Sequence, residues 1–465
     1  MVPTGSKVEE VYRLLILDVF GKSLAIKPCQ FNQIHLLGTS SQEAYILEGD
    51  INIPAALVRQ GLIPCAPYHP SMAVTTRVLE LYRNNHLHCP HLAIQPFVKS
   101  LCDLHGKAFR PYLSQQFSIC YDLYIQIRDE ANLRVALALS RDAPQWRLQN
   151  ACPACTYKLE GESKLIFDML CTMDGNDSLK RIIRREPAPL TDGDEAPQVG
   201  ASRESPDSRE VGGDYYLTRE KVDRWAKAAL EQLLQVDDDG EGTPCEARWQ
   251  NMINEVAARM WGIFDETGVF LALCRHGFVL IIADMVRSGE LYVFLFDILR
   301  SEALMHFSRA KYPLAIVEAL LDAFGSNIGG GYDIGCKFGI TLARSELGPR
   351  AQELHYQALV GSFHGHAHNR LCQLTNLATY VPGMGVEDLE GCERFFSKSN
   401  ALASSLRYAS IFHRQQKIVE YIKHNDSFEV FQNLSKRHIA LSTHSLANVA
   451  QASSLLTTTS SLSTF

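Results

Sequence analysis

Two apolar runs, GVFLALC (residues 268–274) and FVLIIADMV (278–286), are separated only by Arg275, His276 and Gly277. Runs this rich in β-branched and aromatic residues, joined by so short a glycine-containing loop, predict a β-hairpin. Upstream, KLIFDMLCTMDGNDSLKR (164–181) reads as a mostly apolar strand ending in an Asp-Gly turn. Downstream, PLAIVEALLDAF (313–324) has the spacing of an amphipathic helix, and the Gly-rich GGGYDIGCKF (329–338) reads as a further strand.

Strand, hairpin, helix and strand, followed by helices, is the element order of an RNase H-like domain. The fold class expected is therefore α/β (α+β), with an RNase H-like core. At roughly 150 residues per domain, 465 residues suggest about three units. The first 150 mix short strands with helices. VYRLLILDVF (11–20) reads as a strand, MAVTTRVLELYRNN (72–85) as a helix after a turn-rich stretch, and residues 90–139 as two or three packed helices.

Charge is unevenly distributed. Between Glu186 and Glu246 there are sixteen acids against six bases, a local charge of −10 that leaves the rest of this net −7 chain at +3. Residues 187–215, rich in Pro, Gly, Ser and acid with no apolar period, read as a disordered acidic insertion. The spacing of Leu217, Val222, Trp225, Ala229 and Leu233 then predicts a helix that docks on the body. No window approaches the ~18 uninterrupted apolar residues of a membrane span, and the N-terminus has acids where a secretory signal needs a basic region. An intracellular protein without a membrane partner is expected. Thirteen cysteines with one tightly spaced pair exclude a secreted disulfide framework.

That pair, Cys152-Pro-Ala-Cys155, is a two-thiolate clamp of the kind that forms half of a structural zinc site. Its other half must come from far along the chain. Candidates are Cys274 with His276, or the group His364, His366, His368 and Cys372, in which His368 and Cys372 share a face if the segment is helical. His368 and Cys372 are carried forward as the Zn²⁺ ligands that accompany Cys152 and Cys155. Lys180, Arg181, Arg184 and Arg185 follow the first core strand and are candidates for a phosphate path.

The acids suggest the chemistry. Asp174 closes the first strand and Asp333 lies on the strand after the helix, so adjacent strands would bring them together. A third acid is expected from a later helix, where Glu387, Asp388, Glu390 and Glu393 are available. Glu390 is favoured, with Glu393 the alternative, since residues three apart share a helix face. Clustered carboxylates raise one another's pKa unless a counter-charge intervenes. Two Mg²⁺ or Mn²⁺ ions roughly 3.5–4 Å apart would answer this and would activate water or a 3′-hydroxyl for phosphodiester transfer.

Six ordered segments carry a resemblance: CPACTYKLEGE, MDGNDSLKR, DETGVFLALCRHGFVLIIADMVRSGEL, YDIGCKF, FHGHAHNRLCQL and GMGVEDLEGCERFFSKSNALASSLRYASIFHRQQ. Together they resemble the Kyakuja-Dileera-Zisupton (KDZ) transposases of fungal genomes, with gaps, from about Val11 to Asp426. Upstream, LIPCAPYHPSMAVTTRVLE resembles the tail of the cysteine-cluster (CxC) segment that accompanies them. The resemblance implies a DDE-type DNA transposase that cuts and rejoins element ends with divalent metal. It further implies work in the nucleus as a dimer or larger assembly. Asp174 stands in the family's DGN position and Asp333 in its YD-x-x-C position, while the match does not choose between Glu390 and Glu393. Arg370 and Arg394 lie inside family motifs and are candidates for phosphate or carboxylate contacts.

The chain departs from the family between GEL and AKYPLAI, where YVFLFDILRSEALMHFSR (292–309) intervenes. Leu291-Tyr292-Val293 can be encoded with GTATGT and Ser308-Arg309 can contain a terminal AG, so this segment reads as a retained short intron. The organisation expected is a CxC-like remnant over 1–66, a helical module over 67–150, and the CxxC element with the first core strand over 151–186. The acidic insertion (187–215), the rest of the core (216–426) and a low-complexity tail (427–465) follow. Such a chain reads as a truncated or decayed copy of the element's enzyme. The competing expectation is a non-catalytic, zinc-containing DNA-binding or interaction protein derived from a transposon.

Overall fold

The computed structural model describes residues 27–34, 39–46, 50–182 apart from 69 and 71, 207, 209–233, 264–286 and 302–436. The chain divides into two units, Met1–Asp142 and Ala143–Phe465.

In the first unit, β1 (Lys27–Ile34) pairs antiparallel with β2 (Thr39–Ile46) and parallel with β4 (Met72–Thr75). β4 in turn pairs antiparallel with β3 (Leu62–Pro64), which gives the order β2-β1-β4-β3. This sheet crosses the boundary expected at residue 66. Met72–Thr75, expected to open a helix, is a strand, with Ala73 and Val74 fully buried. The helix begins at Thr76 because the Thr75 hydroxyl accepts the Val78 N–H at 3.4 Å. After α1 (Ile53–Arg59) the unit is largely helical: α2 (Thr76–His88), α3 (Ile94–Leu104) and α4 (Pro111–Ala138). Tyr82 of α2 lies 5.1 Å from the Phe97 ring of α3 and 5.6 Å from that of Phe117 on α4. Each such buried ring contributes on the order of 2 kcal/mol. The strand expected over residues 11–20 lies outside the described residues.

The second unit is built on a mixed sheet. The predicted hairpin forms from β7 (Phe264–Cys274) and β8 (Val279–Val286), turning at Gly277 with φ +95°. A residue with a side chain is strained in that left-handed region. β5 (Met169–Asn176) pairs antiparallel with β7 and parallel with β9 (Ile328–Gly331), which pairs parallel with β10 (Gln357–Leu359). β6 (Arg181–Ile182) pairs with the start of β7 opposite β8, so it extends β5 past a turn. The order across the sheet is thus β8-β7-β5-β9-β10.

Side chains alternate across a strand, and β5 uses both faces. Met169, Cys171 and Met173 join one core cluster with Leu314, Ile316, Val317 and Leu320 of α6 (Glu302–Phe324). The predicted helix beyond the acidic insertion, α5 (Arg219–Leu233), docks on α6: Trp225 Nε1 donates to Glu318 at 3.0 Å and Lys311 to Asp223 at 2.8 Å. Leu170 and Thr172 face the other way, and Thr172 Oγ1 meets Cys392 Sγ of α8 (Gly391–Ser399) at 3.2 Å.

Several expected boundaries shift. Asp-Gly at 174–175 lies within β5, because Asp174 and Gly175 still pair with Leu271 and Phe270. The strand expected over 329–338 ends at Gly331, and the chain turns into α7 (Gly335–Arg344). Most of the acidic insertion lies outside the described residues, but its end is packed, with the Arg209 guanidinium 4.1 Å from the Phe412 ring. Of the segment 292–309, residues 292–301 lie outside the described residues and 302–309 form the first turns of α6. The tail is helical at its start: α9 (Ile411–Asn425) runs on through Asp426–Val430, where Val430 is buried. Residues 437–465 lie outside the described residues. No helix among the described residues is long and apolar enough to cross a membrane.

Candidate active site

The register of the two central parallel strands places the aspartates. β5 and β9 pair up to Thr172 opposite Gly331, and two residues further along each chain are Asp174 and Asp333. Gly331 has to lack a side chain, since a Cβ there would lie 2.8 Å from that of Leu389. Leu389 thereby covers the end of β9 and delivers Glu390 and α8 to the same edge.

Asp333, His364 and Glu393 offer ligand atoms that all lie within 4.8 Å of one another. His364 comes from the short turn Phe363–Ala367, and its Nδ1 is 3.2 Å from Asp333 Oδ1 and 3.5 Å from Glu390 Oε2. Asp174 is pushed up to about 8, by burial first and then by the charges of Asp333 and Glu393, against a lowering hydrogen bond from the Gly175 N–H at 2.7 Å. Asp333 is pushed up to about 6, again chiefly by burial, with Glu390 and Glu393 raising it and His364 opposing them. Carboxylates that resist simultaneous ionisation favour a hard divalent cation with oxygen ligands.

The two candidate glutamates are placed differently. Glu390 precedes α8 rather than lying in it (φ −107°, ψ 23°). Its Oε1 accepts the Phe363 N–H at 2.8 Å, and Gly361 leaves the space that this oxygen fills. Glu393, in the first turn of α8, is exposed, and its charge acts on both aspartates. His364 was not among the catalytic residues expected from sequence; its place in the FHGHAH motif is the signal that could have marked it.

The zinc expectation needs a correction. Cys152 and Cys155 group with Cys274 and His276, not with His368 and Cys372. The His276 Nδ1 lies 3.4 Å from Cys152 Sγ and 3.2 Å from Cys155 Sγ. The hairpin turn supplies this second half, because β7 ends at Cys274 and the turn carries His276 back over Cys152 and Cys155 of the short helix Pro153–Thr156 and its cap. Hydrogen bonds from the Cys155 and Cys274 thiols hold Cys152 far below the usual thiol range. Cys155, whose thiol donates to the Cys152 sulfur, is pushed up to about 12. Three thiols and an imidazole at this spacing match a structural zinc site in ligand type and number. His368 and Cys372 instead group with Cys336.

One of the basic residues departs from its expectation. Arg181 is buried and pairs with Glu266 and Asp265, so it ties β6 to β7 instead of lining a phosphate path. Lys180 lies over the Phe264 ring at 5.4 Å. Arg184 and Arg185 lie outside the described residues. Arg394 is engaged by Asp388 through two hydrogen bonds of 2.7 and 3.0 Å. Arg370 is exposed and packs on Tyr380.

A family model described as Kyakuja-Dileera-Zisupton transposase matches residues 167–426, from the strand that leads to Asp174 to the end of α9. No curated protein and no solved structure matches the chain.

Proposed function

The chain belongs to the Kyakuja-Dileera-Zisupton transposase family, and on that premise we propose that it is a DDE-type transposase cutting and rejoining DNA through an RNase H-like core. The strand order β8-β7-β5-β9-β10, three antiparallel strands followed by two parallel ones, supports that core. The reading is supported by the β5–β9 register, which brings Asp174 and Asp333 to neighbouring strand ends, and by the Asp333, His364 and Glu393 ligand atoms within 4.8 Å of one another.

Asp174, Asp333 and Glu393 would hold Mg²⁺ or Mn²⁺, and the bound ions would supply Lewis-acid activation of the attacking oxygen and neutralise charge at the leaving oxygen. In this assignment Glu393 replaces Glu390 as the third acid. Glu390 keeps a positioning role, fixing the Phe363–His364 turn through the Phe363 N–H. His364, facing Asp333 and Glu390, orients the carboxylates. Arg370 is retained as a phosphate contact. The cluster of Cys152, Cys155, Cys274 and His276 would hold Zn²⁺ as a brace between the hairpin turn and the segment entering β5. On this reading the protein acts on transposon ends and target DNA in the nucleus, as an assembly of two or more chains.

The test is cleavage and strand transfer on DNA carrying the flanking element ends, with Mg²⁺ or Mn²⁺. Wild type, Asp174→Asn and a chain lacking residues 292–309 are compared. The reading expects metal-dependent product that Asp174→Asn abolishes. DNA binding by folded protein with no product from any chain would favour the alternative, a non-catalytic zinc-containing DNA-binding protein. The four-residue Cys/His cluster, which needs no catalysis to fold, is the feature that supports that alternative.

A further inference from the structure

Beside the carboxylates lies a second group of soft ligands. Cys336 sits in the first turn of α7, three residues after Asp333, and Cys372 in the first turn of the helix Arg370–Asn376. His368 is buried between them. Its Nδ1 is 3.4 Å from Cys336 Sγ and also 3.4 Å from Cys372 Sγ.

The ring's other nitrogen fixes its tautomer. Nε2 lies 3.0 Å from the Asp333 carbonyl oxygen, which can only accept, so Nε2 carries the hydrogen. In the neutral ring Nδ1 then has one lone pair, facing two sulfurs. A single lone pair accepts one good thiol hydrogen bond, whereas a cation between the three atoms satisfies all of them. Metal-bound histidines commonly donate their second N–H to a backbone carbonyl in this way. The distances agree too: Zn–S near 2.3 Å and Zn–N near 2.0–2.1 Å in a tetrahedron put N and S about 3.5 Å apart. Asn376 Nδ2 donates to Cys372 Sγ at 3.6 Å.

We propose that Cys336, His368 and Cys372 form a second zinc site, separate from the Cys152 cluster, that ties the Asp333 turn to the His364–Cys372 segment. Water takes the fourth position. Sulfur and nitrogen donors select Zn²⁺ here, while the oxygen donors of Asp333 and Glu393 select a hard cation. Through the His368–Asp333 hydrogen bond the zinc site sets where the Asp333 backbone lies. The inference rests on the ligand geometry and not on the strand-transfer reading.

Zinc content of the purified full chain, measured by elemental mass spectrometry, tests it. The expectation is two zinc ions per wild-type chain, with one lost in Cys336→Ser/Cys372→Ser and the other in Cys152→Ser/Cys155→Ser. A Cys336→Ser/Cys372→Ser chain with the full wild-type content would overturn the proposal. Should that variant fail to fold, alkylation of wild-type cysteines is mapped by peptide mass spectrometry before and after chelation. Cys336 and Cys372 should become reactive on chelation and be protected again by added Zn²⁺; rates unchanged by chelator and zinc would overturn the site. Normal zinc content with no DNA cleavage would leave this site standing and count against the catalytic reading alone.

Discussion

Arg414 is fully buried, and its guanidinium stitches together three parts of the sheet unit. It donates to the Leu179 carbonyl at 2.9 and 3.2 Å, to the Gly268 carbonyl at 3.0 Å and to the Asp284 carboxylate. Leu179 lies in the turn just after Asp174, and Gly268 and Asp284 lie on the two strands of the hairpin. Replacing Arg414 by Met keeps much of the volume but strands a half-buried carboxylate and two carbonyls. Breaking a buried ion pair costs about 3–5 kcal/mol, and a buried acceptor left bare costs about 1–3 kcal/mol. Asp284 keeps its hydrogen bond from Gln415 at 2.8 Å, which holds the expected loss for Arg414→Met near the lower part of that range, about 3–4 kcal/mol. Urea unfolding followed by tryptophan fluorescence reports it, since Trp225 is buried in the same unit. Adding Asp284→Asn to Arg414→Met should recover part of the loss, because the stranded charge is gone. A single-variant loss below about 1 kcal/mol, or a double variant less stable than the single, would refute the reasoning.

Three further outcomes follow from the same geometry. Asp174 rises to about 8 in the fold from about 3.9 when unfolded, so the native state binds more protons between those values. Stability in chelator is therefore lost as pH rises through about 8; Asp174→Asn should melt higher than wild type at pH 9 and no higher at pH 4, and an equal difference at both would contradict the cause given. Arg181→Met should lower stability by about 3 kcal/mol yet leave the salt dependence of DNA binding unchanged, whereas Arg370→Ala should reduce that salt slope by about 1; filter binding across a salt series separates the two. Cys274→Ser should remove one zinc per chain and lower the melting temperature, with Cys102→Ser, buried in the other unit, as the zinc-neutral control.

How much of this was legible in the sequence depended on how local each signal was. The hairpin was readable because both apolar runs and their turn are contiguous, and the position of Asp174 and Asp333 at neighbouring strand ends followed from the element order. The end of β5 was misjudged because Asp-Gly is turn-prone in isolation, whereas pairing with Leu271 and Phe270 carries the strand to Asn176. The choice between Glu390 and Glu393 could not be made from a spacing of three, which assumes both lie in one helix; Glu390 stands outside it. The partner of the Cys152–Cys155 clamp was among the alternatives but was not the one chosen. His276 reads as a turn residue until the hairpin brings it against Cys152, and HGHAHNRLC offers more ligands in fewer residues. Arg181 read as an exposed base because its acids, Asp265 and Glu266, lie on a strand more than eighty residues away in sequence, and only the β6–β7 pairing brings them together.

Mn²⁺ binding to the metal-free full chain, followed by electron paramagnetic resonance at pH 7.5, tests the carboxylate site most directly. The account predicts Mn²⁺ uptake by wild type that is lost in both Asp174→Asn and Glu393→Gln and retained, weakened, in Glu390→Gln. Uptake unchanged in Asp174→Asn and Glu393→Gln would contradict it.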